Sequence, residues 1–113
     1  MNENELLEVV LNFIKSSNML DVNMYLSSFS DTAMIEEKSI NNDLYGKEEI
    51  RRYFQDYFIN YHTQTEVLNY KVKESYLKMR VQFKGDFTGN EVVGLYKFFI
   101  EDKRIVKLIA DLE

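Results

Sequence analysis

The 113-residue chain has no cysteine, no proline and no tryptophan, and only one histidine. Without cysteine there is no disulfide, no zinc–thiolate or iron–sulfur site and no thiol nucleophile. A lone histidine cannot build a metal site unaided, so no metal is expected. Positive charge is also short: 14 Lys and Arg stand against 19 Asp and Glu, a net charge of −5. That balance argues against a nucleic-acid partner, which needs a basic patch. No run approaches the ~18 apolar residues of a membrane span. The acidic stretch from Met1 to Glu8 lacks the basic-then-apolar order of a signal peptide. No membrane partner and a cytoplasmic location are therefore expected. A Rossmann glycine fingerprint and a P-loop are both missing, so no cofactor is expected. The length fits one domain, residues 1–113, large enough to bury a core without a metal or disulfide.

Aromatic residues are abundant: 8 Phe and 8 Tyr, more than a simple small core needs. They are either ordinary core, the lining of a cavity or an interface.

The first half of the chain has helical spacing. Leu6, Leu7, Val10, Phe13 and Ile14 recur at three- and four-residue intervals, and Glu3, Glu5 and Glu8 suit a helix start. Ser16, Ser17 and Asn18 weaken that helix. Asp21 stands where an N-cap would, before a short helix with Val22, Tyr25, Leu26 and Phe29 on its face. Ser30 to Thr32 break the pattern, Ala33–Glu37 reads as a short strand, and Lys38–Asp43 as a polar loop. A third helix runs from Lys47 to about Phe58 and carries Ile50, Tyr53, Phe54, Tyr57 and Phe58.

The second half has a period of two. Leu68, Tyr70 and Val72 alternate with polar residues, as do Leu77, Met79, Val81 and Phe83. A glycine-containing connection spans 85–90. Val92–Ile100 forms a third strand and Arg104–Ala110 a last one. Helices followed by an antiparallel meander give an α+β fold, with helices on one sheet face. Val92, Tyr96, Phe98 and Ile100 make one side of the long strand apolar, and Val93, Leu95 and Phe99 the other. Such a strand wants cover on both faces. A second copy of the sheet would supply it, giving a homodimer through the outer sheet face. The alternative is a central strand curled over its own core.

Several short stretches resemble the NTF2-like superfamily, and within it the SnoaL-like and ketosteroid isomerase-like group. They are Asn18-Met19-Leu20-Asp21, Phe29-Ser30-Asp31-Thr32-Ala33, Gly46-Lys47-Glu48-Glu49-Ile50, Gly85-Asp86-Phe87-Thr88-Gly89-Asn90, and the closing Tyr96-Lys97-Phe98 and Asp102-Lys103-Arg104-Ile105. Together they extend over nearly the whole chain. The resemblance implies a cone-shaped, curved mixed sheet wrapped on three N-terminal helices in a cystatin-like arrangement, with a pocket at its open end. It also implies a general base at Glu37. A carboxylate in an aromatic cavity could take a carbon-bound proton. Its neighbour Glu36 must point to the opposite face of the strand, so only one of the two can enter a pocket. The competing reading is a pair of solvated acids bridged to Lys38 or Lys47.

Phe13 stands where isomerases of this group carry an oxyanion-hole Tyr, and a phenyl ring cannot donate that hydrogen bond. Tyr96 takes the position of the second donor. It is otherwise a wall or interface aromatic. His62 is either an acid or base at the pocket mouth or an incidental loop residue. Phe13, Tyr25, Phe54, Met79 and Phe98 are the expected ligand-binding wall. The expected function is binding of a small apolar or aromatic molecule, with isomerase- or cyclase-type proton transfer through Glu37. The alternative is a non-enzymatic binding or protein-interaction domain of the same fold.

Overall fold

The computed structural model describes residues 1–113. Helix α1 spans Glu3–Asn18, capped by Asn2, whose side chain accepts from the Glu5 amide at 2.9 Å. Ser16, Ser17 and Asn18 remain inside it. Ser16 Oγ donates to the Asn12 carbonyl at 2.8 Å, so the hydroxyl bonds within the helix rather than breaking it. Asp21 caps α2 (Val22–Ser27) by accepting from the Met24 amide at 3.0 Å. Strand β1 is longer than expected, Phe29–Glu37. The stretch expected to be loop holds a single 3-10 turn, Lys38–Ile40, and a short strand, β2 (Asn42–Tyr45), paired antiparallel with β1. Gly46 opens α3 (Gly46–Phe54) at φ +80°, a left-handed conformation that favours glycine. One π-helical turn, Gln55–Ile59, follows directly.

Strands β3 (Gln64–Val72), β4 (Leu77–Lys84), β5 (Glu91–Glu101) and β6 (Arg104–Leu112) form the antiparallel meander. Strand β1 joins β6 in parallel, so the sheet is mixed, in the order β2-β1-β6-β5-β4-β3. This order corrects the cone. Strands β2 and β3 are its two ends, and no hydrogen bonds join them. Three of the four residues of β2 are exposed, as is most of β3. The sheet is open, and the strongly curved, barrel-like closure implied by the resemblance is not formed.

The helices cover one face. A cluster of 22 buried apolar residues draws on every helix and on every strand but β3. Leu77, Met79, Val81 and Phe83 all face it, as their alternation requires. Strand β3 departs from its expected pattern. Leu68 has no partner on β4, because the register slips between Val67 and Asn69, and Leu68 and Tyr70 are exposed. Asn18 ties α1 to this strand. Its amide donates to the Thr65 carbonyl at 2.9 Å and accepts from the Thr65 amide at 2.6 Å, as a strand neighbour would. No helix is long and apolar enough to cross a membrane.

Candidate functional site

Strand β1 alternates inward Ala33, Ile35 and Glu37 with Met34 and Glu36 on the other face. Glu37 is the inward carboxylate and is 6% exposed. Three donors hold it. The Tyr53 hydroxyl of α3 donates to Oε2 at 2.5 Å, and the Ser39 hydroxyl and amide donate to Oε1 at 2.6 and 3.1 Å. No Lys or Arg is among its partners. Of the two bridges the competing reading offered, Lys47 instead pairs with Asp31 at 3.3 Å and Lys38 makes no ion pair. A buried carboxylate without a cation depends on its hydrogen bonds, and those to an ionised group are the strong ones.

Two further phenols belong to this polar cluster. Tyr25 and Tyr96 are buried, and the charge of Glu37 acts on both. Burial above all holds the Tyr25, Tyr53 and Tyr96 phenols protonated far beyond their ordinary range. The neighbouring phenols and Glu37 add to the effect. The Tyr25 hydroxyl is buried and has no hydrogen-bond partner.

Glu37 and Tyr53 open onto a cavity of about 330 Å³. Its wall is mostly apolar: Ile40, Tyr57, Phe58, Tyr61, Phe83, Phe87, Val92 and Leu112, with Ser39 and Thr63 as polar members. The π-helical turn supplies Tyr57 and Phe58. The turns at 61–62 and 85–90 supply the rim, where Tyr61 and Phe87 meet edge to face at 6.2 Å. These turns are clasped by the Asp86 amide, which donates to the Tyr61 carbonyl at 2.8 Å. Gly85 permits the approach, since a Cβ there would lie 2.9 Å from that carbonyl.

The expected wall lies elsewhere. None of Phe13, Tyr25, Phe54, Met79 and Phe98 lines this cavity. Each is at most 2% exposed, in the packed interior. Tyr25 stacks on Phe54 with ring centroids 3.8 Å apart, and Phe13 sits amid Tyr25, Phe29, Tyr96 and Phe98. The rings fill with one another the space expected for a ligand. Tyr96 is likewise in the interior, between Phe83 and Phe98. His62 is not brought to Glu37. It is exposed at the rim, with its Nδ1 2.8 Å from Asp86 Oδ2. The rim residues Tyr61 and Phe87 carried no helical or strand period that could have singled them out. No three His, Asp or Glu side chains are grouped so as to hold a metal ion.

No family model matches the chain, and no curated protein does. Solved structures do. A candidate polyketide cyclase of Sinorhizobium meliloti superposes with a TM-score of 0.85 at 22% identity, covering 97% of this chain and 99% of that one. An NTF-2 like protein of Burkholderia xenovorans gives 0.84 at 11% identity, covering 100% and 86%. The chain has the NTF2-like fold. A third structure with this fold, from Mycobacterium tuberculosis, was solved in complex with estradiol-17beta-hemisuccinate. It superposes with a TM-score of 0.81 at 13% identity, covering 94% of this chain and 92% of that one. At such identities the likeness establishes architecture, and function rests on the site.

Proposed function

We propose that this NTF2-like chain binds a small, mostly apolar or aromatic molecule in the cavity above Glu37, and that Glu37 takes a proton from it in an isomerase- or cyclase-type reaction. The observation that carries this reading is a buried carboxylate with no cation, at the inner end of an aromatic-walled cavity. A carboxylate so placed can act as a general base toward a ligand in the cavity. The S. meliloti and M. tuberculosis structures support it by association, one as a candidate cyclase and one holding a steroid ester. In this reading Tyr53 positions the base. Tyr96 keeps a neutral phenol beside it from within the core, and His62, held by Asp86, stands at the rim.

The test is a screen of steroid-like and aromatic compounds for a rise in melting temperature, followed by NMR of deuterium uptake at the acidic carbon of each ligand found. Glu37→Gln should keep binding and lose the exchange. Exchange that persists in Glu37→Gln rejects Glu37 as the base. Binding with no exchange in the native protein selects the non-enzymatic alternative. One observation favours that alternative: three donors already engage the oxygens of Glu37.

The partner is proposed to be a second copy. Met34, Val93, Leu95, Phe99 and Ile109 lie on the face of the sheet away from the helices, partly or fully exposed. They are the apolar residues that a homodimer through this face would cover.

A further inference from the structure

The outer face of the sheet has a second, chemically different region. Lys71 of β3 stands directly opposite Lys78 of β4, and Lys78 stands directly opposite Lys97 of β5. The three form one row across three strands. Directly opposed like charges repel and destabilise a sheet. No acid pairs with any of them, although the chain carries five more negative charges than positive ones.

The row lies in a groove of about 350 Å³, completed by Lys38, Arg80 and Asn69, with Asp111 its one acid. Arg80 is already committed: its guanidinium donates twice to the Glu113 carboxylate, at 2.6 and 2.5 Å. The repulsion extends to Lys73, whose ammonium is held below its ordinary range by Lys71 first, then by partial desolvation and Lys78. Lys97 has only the ring of Tyr76 beneath it, 5.5 Å away.

We propose that this groove binds a small ligand carrying two or more adjacent phosphoryl groups. Strands lie about 4.8 Å apart, so the three lysine stems are rooted along about 10 Å, a span suited to a short run of phosphoryl charges. The free groups are lysines, which act on phosphate as mobile point charges. The one arginine, whose planar fork suits carboxylates, already holds one. Asn69 adds a neutral donor beside the row. Met34 and Phe99 lie outside the groove, but Leu95 and Ile109 of the proposed dimer face also line it, and Ile109 stands directly opposite Lys97, so a ligand here and a second copy seated on that face compete for the same surface.

The probe is sodium tripolyphosphate, titrated calorimetrically into the native protein at about 50 mM and about 200 mM salt. Binding should be at least about tenfold tighter than for inorganic phosphate and should weaken at the higher salt. Lys78→Gln and Lys97→Gln should each weaken it about tenfold. Without ligand, Lys78→Gln should melt higher than the native protein, because it removes the middle of three repelling charges. The proposal is overturned by no detectable binding at low salt, by native affinity in both variants, or by a ligand-free Lys78→Gln that melts no higher. A nucleoside triphosphate arm identifies the source of the phosphoryl run: equal affinity means that the phosphates alone are read. Tighter binding of a single-stranded DNA oligonucleotide than of either would replace the small ligand by a polymer and overturn the proposal.

Discussion

Two tyrosines near Glu37 make opposite predictions. The Tyr53 hydroxyl donates to the buried carboxylate, so Tyr53→Phe leaves Oε2 without its partner and should cost about 1–3 kcal/mol in urea unfolding. The Tyr25 hydroxyl is buried with no partner, so Tyr25→Phe should leave stability unchanged or raise it. A loss in Tyr25→Phe as large as in Tyr53→Phe would contradict an unpartnered hydroxyl. The same phenols set an alkaline limit. Tyr25, Tyr53 and Tyr96 bind their protons more tightly folded than unfolded. Above the ordinary value of 10.0 the unfolded chain releases protons that the native state keeps, so stability falls as pH rises from there. These three tyrosinates should appear only as the protein unfolds, and their smooth ionisation in a still-folded protein would contradict the burial described. At this scale the sequence was informative about Glu37, because alternation along a strand forces Glu36 and Glu37 apart. It was uninformative about ring packing. Phe13 and Tyr25 have the spacing of a wall and of a core alike, and only the fit of ring against ring decides between them.

Among the elements, the cavity depends on a glycine in the middle of β5. A Cβ at Gly94 would overlap the ring of Phe83 on the adjacent strand, and Phe83 forms part of the cavity wall. Gly94→Ala must therefore displace that ring. A loss of about 1–3 kcal/mol is expected in chemical denaturation, together with weaker binding of any cavity ligand. Binding at native strength in Gly94→Ala would show that Phe83 does not shape the site. Strands β4 and β5 were legible because their inward residues alternate, whereas in β6 the alternation slips one residue between Ile105 and Leu108. Strand β2 was not legible. It has one buried residue, Leu44, and its existence is decided by pairing with β1 rather than by its own composition. The single slipped residue in β3 was equally hidden, since an extra residue changes the register but not the local alphabet.

For the whole molecule, one buried cluster links all three helices to five of the six strands, so heat should unfold the chain in a single transition. Two resolved transitions in calorimetry would contradict one cooperative unit. Sedimentation should give twice the mass of 13.5 kDa, and Leu95→Asp should return it to the monomer; a native protein that sediments as a monomer removes the dimer. A net of −5 describes an average, and strand pairing gathers Lys71, Lys78 and Lys97 from three separate places into one row. Helices before meander sufficed for the α+β class, but whether the end strands meet is a matter of long-range geometry that no local pattern encodes. Because they do not meet, the sheet has a free margin at β3 with unpaired backbone donors and acceptors, where a stray strand from another molecule could add. The extra residue at Leu68 interrupts that margin's even spacing, and Lys71 beside it repels a basic or apolar newcomer. The irregularity that blurs β3 in the sequence thus also works as a guard against fibrous self-association. Deleting Leu68 would straighten the margin and should leave a protein that still folds but precipitates at concentrations the native chain tolerates.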